Sequence, residues 1–213
     1  MFSRRALLAA LAASPALAAL PALAQDAQDA SPADLAVPGP IKDMTLGKAD
    51  APVKVYEYAS MTCPHCARFE KDVFPTIKDK YIDTGKVLWT LREFPLDPRA
   101  TAGFMLARCA GDDKYYAMID VLFAQQANWA FVDAAQVLPG LTQIAKQAGF
   151  TQERFDTCLK DQTLYDGVMA VKKRAEDVFK IDGTPTFFIN GKRYSGELSV
   201  DEFDKAVAAF LKS

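Results

Sequence analysis

Cys63-Pro64-His65-Cys66 is the stretch of this chain best equipped for chemistry. Two thiols separated by two residues can close into a disulfide and reopen by exchange with another protein. The motif stands where a strand-like run, Val53 to Tyr58, gives way to a helix-like run, Ala67 to Lys80. In that context CxxC reads as a redox motif rather than as half of a metal site. A helix N-terminus stabilises a thiolate through its unpaired N–H groups and its dipole. Cys63, the first thiol of the pair, is therefore the expected nucleophile.

A second element lies far downstream, in Gly183-Thr184-Pro185-Thr186. A proline that opens a strand cannot donate to the ladder. A cis bond before Pro185 would present the backbone of Thr184 to an incoming extended peptide; a plain trans proline at a strand start is the alternative. With CxxC upstream and a hairpin directly after, cis is expected. Trp129 and Phe131 could line a peptide groove facing Cys63, but they read better as core residues joining two helices.

The elements that must hold these residues follow from the patterning. Val53 to Ala59 reads as a buried strand. Ala67 to Lys80 reads as a helix interrupted or kinked at Pro75. Lys86 to Phe94 alternates and is rich in β-branched and aromatic residues, so it reads as a second strand. From Asp97 to about Lys180 the apolar residues recur at helical spacing, as in Phe104, Leu106 and Ala107, or Val137, Leu141, Ile144 and Ala145. Thr151 looks like a helix start, and a long helix runs from about Thr163 to Lys180. Strands return in Thr186–Ile189 and Lys192–Tyr194 around Asn190-Gly191, a strong two-residue hairpin signal. Ser199, with Glu202 three residues on, forms a capping box for a final helix. The order predicts an α/β fold: a small sheet with helices packed on it and an all-helical insertion over residues 97–180.

The bulk numbers suit a soluble domain of 213 residues, half of them hydrophobic. Met1 to Arg5 is a positive n-region, Ala6 to Leu20 an apolar run, and Ala22-Leu23-Ala24 a small-x-small cleavage signal. Residues 1–24 are thus expected to be a removable leader, and 25–41 a flexible arm rich in Ala, Asp, Pro and Gln. Losing the leader takes Arg4 and Arg5 and moves the net charge from −2 to −4. No basic stripe points to nucleic acid. Ser3-Arg4-Arg5 leaves an ordinary secretory route and a twin-arginine route both open. In an oxidising compartment Cys109 and Cys158 most simply pair with each other, closing a loop worth roughly 4 kcal/mol on the entropic account. Two buried free thiols are the alternative.

Cys63-Pro64-His65-Cys66 after a strand, Gly183-Thr184-Pro185-Thr186-Phe187-Phe188-Ile189-Asn190-Gly191, and a helical block between them resemble the DsbA-like family of thioredoxin-fold thiol–disulfide oxidoreductases. The resemblance runs from about Ile41 to the C-terminus, so residues 42–213 would be one thioredoxin-like domain with an inserted helical subdomain. It implies a periplasmic enzyme that donates the Cys63–Cys66 disulfide to reduced or unfolded exported proteins. It also implies a DsbB-like, quinone-linked membrane oxidase as reoxidising partner, a monomer, and no cofactor or metal. Pro64-His65 is the dipeptide the family uses between its cysteines, which implies that the imidazole donates a hydrogen bond or charge to Cys63. Strand alternation leaves Glu57 either facing solvent or buried under the motif. The resemblance favours burial, as a proton carrier for Cys66. The competing readings are a disulfide isomerase or reductase on the same fold, and an exported carrier of a soft metal bound by Cys63, His65 and Cys66.

Overall fold

The central strand of the sheet is β2 (Val53–Ala59), whose Val, Tyr and Ala residues suit a strand covered on both faces. In this computed structural model, which describes residues 29–211, β2 lies parallel to β3 (Val87–Glu93) and antiparallel to β4 (Thr186–Ile189). β1 (Met44–Leu46) pairs antiparallel with β3, and β5 (Lys192–Ser195) with β4, giving the strand order β1-β3-β2-β4-β5. The hairpin turn puts Asn190 at φ 47° and Gly191 at φ 94°, the left-handed pair that an Asn-Gly turn of this kind demands.

Ten α-helices accompany the sheet among the described residues. The first, α1 (Pro32–Ala36), precedes β1; α2 (Pro64–Asp72) and α3 (Phe74–Ile77) join β2 to β3. The break between α2 and α3 falls at Val73, because Pro75 cannot donate in the α-helical ladder. The insertion comprises α4 (Pro98–Cys109), α5 (Tyr115–Ala124), α6 (Gln126–Trp129), α7 (Ala134–Gln147), α8 (Gln152–Leu159) and α9 (Gln162–Phe179). The last helix is α10 (Val200–Leu211), and the box at its start is formed: Ser199 N–H donates to Glu202 Oε2 at 2.9 Å, and Glu202 N–H to Ser199 Oγ at 3.3 Å.

Two faces of the sheet carry separate cores. On one, Val53, Val55, Trp89 and Phe187 pack with Phe69 of α2 and Phe203 of α10. On the other, Tyr58 and Phe188 pack with Phe179 of α9 and with Leu35 of α1. The insertion adds a third core, built on Phe104, Ile119, Leu122, Trp129 and Leu141, that reaches the CxxC end of the sheet through Met61 and Cys66.

The expected leader, residues 1–24, lies outside the described residues. The arm expected to be flexible over 25–41 is docked where it is described. Leu35 is fully buried, Ala30 N–H donates to Gly191 O at 2.9 Å, and the buried Arg92 donates to Leu35 O at 2.7 Å. Ser31 caps α1 and Pro32 opens it, a start signal for which the composition of the arm gives no hint.

Candidate active site

The turn after β2 brings the motif to the start of α2. Cys63 is the N-cap, Pro64 fills the first helical position where no N–H is needed, and Cys66 faces inward without solvent exposure. Neighbouring loops fix the turn. Thr62 Oγ1 donates to Asp97 Oδ2 at 2.7 Å, and Asp97 in turn caps α4 by accepting from Ala100 N–H. Gln126 Nε2, buried in the insertion, donates to Met61 O at 2.9 Å and to Cys63 O at 3.0 Å. Sequence reasoning missed Gln126; a lone polar side chain in α6 has no local signature that would reveal two carbonyls 63 and 65 residues away.

The Thr184-Pro185 peptide bond is cis, and the Cys63 sulfur lies 3.3 Å from the Thr184 carbonyl oxygen. The strand-opening proline is thus beside the thiol pair, at the same end of the sheet. The Thr184 hydroxyl is buried with no well-formed partner among the described residues.

Cys63 and Cys66 carry free thiols in this structure, and their acidities diverge. Cys63 is lowered to about 5. The Cys66 S–H is the main cause, with help from Thr184 and from the backbone N–H groups of Cys66 and His65, against the cost of burial. Cys66 is pushed well above the ordinary thiol range by burial, and the charge on Cys63 adds to that. Glu57 is buried beneath the pair, on the same face of β2 as Val53 and Val55. Burial raises its carboxyl to about 8, the nearby Trp89 indole opposing; Oε2 has no hydrogen-bond partner among the described residues. Of the two orientations left open by alternation, the structure has the inward one. Glu70, one turn beyond Cys66 on α2, is a second buried acid that sequence reasoning missed; burial pushes it well up too, and the charge on Glu57 adds to this.

His65 reaches the sulfur through its backbone N–H. Its ring is exposed and turned to Glu197, with Nδ1 2.5 Å from Glu197 Oε1. Trp129 is core, donating its indole N–H to Leu122 O at 2.9 Å, whereas Phe131, also expected in the core, is 55 % exposed. Far from the motif, Cys109 at the end of α4 is bonded to Cys158 in α8.

Known proteins resemble this chain in sequence and fold. The family model described as Thioredoxin matches residues 40–209. The crystal structure of alpha-DsbA1 from Wolbachia pipientis has a TM-score of 0.78 and 32% identity, covering 84% of this chain and 95% of that one. Oxidised BdbD from Bacillus subtilis has a TM-score of 0.72 and 26% identity, covering 88% and 100%. A protein of Rickettsia bellii described as a "putative protein-disulfide oxidoreductase" is 36% identical over 169 residues, 78% of this chain and 64% of the relative. The chain spans about three-fifths of the length of such Rickettsia relatives.

Proposed function

This chain belongs to the DsbA-like family of thioredoxin-fold disulfide oxidoreductases, and from that premise we propose that it oxidises the thiols of exported proteins with its Cys63–Cys66 disulfide. The observation that carries the reading is the split between the two thiols. Cys63 is lowered to about 5 while Cys66 is pushed well up. A stabilised thiolate stabilises the reduced form, which makes the disulfide the stronger oxidant.

The steps balance as thiol exchange. A client thiolate attacks Cys63 Sγ in the oxidised protein; the Cys63–Cys66 bond breaks and its electron pair leaves on Cys66. Glu57, buried and protonated over most of the neutral range, is placed to give that sulfur a proton. The client's second thiolate then attacks the client sulfur of the mixed disulfide and expels Cys63. A leaving thiol with a low pKa departs fastest. The backbone of Thr184 and Pro185, next to the Cys63 sulfur, is the docking edge for the client's extended chain. The site of action would be the periplasm. Reoxidation would fall to a DsbB-like, quinone-linked membrane oxidase, with this protein acting as a monomer.

Equilibration with glutathione tests the reading, combined with refolding of a reduced and of a scrambled disulfide-containing client. A strongly oxidising couple that speeds the reduced client and rescues the scrambled one poorly is expected. A strongly reducing couple, or efficient rescue of the scrambled client, would favour a reductase or an isomerase instead.

A further inference from the structure

Glu197 belongs to no motif, yet it spans 132 residues of sequence to touch the CxxC turn. It follows β5 in the loop before α10. Gly196 N–H donates to Pro185 O at 2.9 Å, which ties this loop to the one that carries Thr184. The Ser199–Glu202 box pins the other side of the loop. The carboxylate is therefore placed by backbone that also places the docking edge. Arg68, three residues after His65 on α2, holds it in a fork, Nη2 to Oε1 at 2.5 Å and Nε to Oε2 at 3.3 Å. The same Arg68 Nη2 is 2.7 Å from His65 Nδ1. One ring nitrogen of His65 is thus occupied by an Arg–Glu pair on the outer side of the helix N-terminus.

We propose that Glu197 is a positioning residue for thiol exchange: it holds the His65 ring away from the Cys63 sulfur and so restrains the oxidising strength of the Cys63–Cys66 couple. The inference rests on reading the pair as a redox couple. Two consequences of the contact have the same sign. The imidazole Nδ1 engaged by Glu197 cannot at the same time donate to the sulfur. The carboxylate also pairs off Arg68, a cation close enough to Cys63 to feel its charge. Removing the carboxylate frees the ring and the guanidinium to favour the thiolate, and the reduced form gains. All three side chains are partly or largely exposed, so the effect is modest.

The experiment equilibrates oxidised protein with reduced glutathione, where one protein disulfide becomes two thiols as two glutathione molecules join into one disulfide. Wild type, Glu197→Gln, His65→Ala and the double variant are compared, and the Cys63 thiolate is titrated in each. For Glu197→Gln an equilibrium constant shifted about threefold toward reduced protein is expected, with the thiolate titration moved to lower pH. In the His65→Ala background the same substitution should have a smaller effect, since the ring's share is gone and only the release of Arg68 remains. Values for Glu197→Gln equal to wild type, a shift toward the weaker oxidant, or an undiminished effect without His65 each overturn the proposal. If wild type itself does not exchange with glutathione, the redox reading falls and this inference with it. If wild type exchanges and Glu197→Gln does not differ from it, only this inference falls.

Discussion

Cys63 and Cys66 sit three residues apart at the mouth of a helix, whereas Cys109 and Cys158 are 49 residues apart and joined across two helices of the insertion. The functional group is the same and the surroundings are opposite. Around Cys63 are backbone N–H groups, a neighbouring S–H and a buried acid, each biasing one protonation state over the other. Around the second pair are the hydrophobic side chains of α4 and α8, where Cys158 is buried. A cysteine pair becomes a reagent when charge and hydrogen bonds split the acidities of its two sulfurs, and a staple when it closes into a bond between two packed helices.

Two buried carboxylates on neighbouring strands repeat the contrast. Glu93 accepts from Arg108 Nε at 2.6 Å and from Tyr115 OH at 3.0 Å. Glu57, in register with Leu91 on β3, has no ion pair among the described residues, and its Oε2 is unpartnered there. Glu93 joins the sheet to the insertion; Glu57 is left in a state from which a proton can move.

The sharpest way to break the comparison is to swap the loss. Cys63→Ser should abolish disulfide donation and leave the fold intact, read by client oxidation and by the thermal melt. Replacing Cys109 and Cys158 together by Ala should leave exchange at Cys63 in place and lower stability by up to about 4 kcal/mol, read by urea unfolding. Exchange lost with the second pair would mean that the two pairs are not separate devices.

Next in size, Glu57→Gln should slow client oxidation near neutral pH by about a hundredfold, since an amide can neither give nor take the Cys66 proton. Its effect on stability has the opposite sign. The folded protein holds the Glu57 proton up to about pH 8, whereas the unfolded chain releases it near 4.5. The contribution of this group is thus complete below about 4.5 and is lost as pH rises through about 8. The amide variant should therefore be the more stable protein at pH 7 and should lack that slope, measured by unfolding across pH. A variant equally active and equally stable at every pH would remove Glu57 from the chemistry.

The last test is a pH profile. Cys63 falls from an ordinary 9.0 to about 5 in the folded dithiol form. Its stabilisation of that form is complete above about pH 9, shrinks below it, and is gone once pH drops through about 5. The stability of the reduced protein relative to the oxidised one should decline steadily over that window. The thiolate absorbance should titrate with a midpoint near 5. A midpoint near the ordinary thiol value would erase the difference between the two pairs.

Much of this was legible in the sequence wherever one local rule decides. CxxC at a strand-to-helix junction, Asn190-Gly191 between two strands and Ser199 ahead of Glu202 each specify their own geometry. Illegible were the features that exist only because distant chain segments meet. Met44–Leu46 is too short to show a period and is a strand only through its pairing with β3. Helix α1 has five residues, too few to persist alone, and is held by Arg92 on Leu35 O and by burial of Leu35. Gln126 and Glu197 reach the site from loops and short helices that share no pattern with it. Phe131 defeated the apolar-means-inside rule, which has routine exceptions at the surface.

The docked arm has a consequence for how the protein presents itself. Asp29 and Ala30 lie against the Asn190-Gly191 turn, Asp29 accepting from Arg193 N–H at 2.9 Å. That turn and Pro185 are at opposite ends of β4, separated by about 13 Å at roughly 3.3 Å per residue. Whatever precedes Asp29 therefore sets out from the end of the sheet remote from the thiols. A tether, tag or surface attachment placed there would leave the reactive end pointing outward, so immobilising the protein through its N-terminus should leave client access intact.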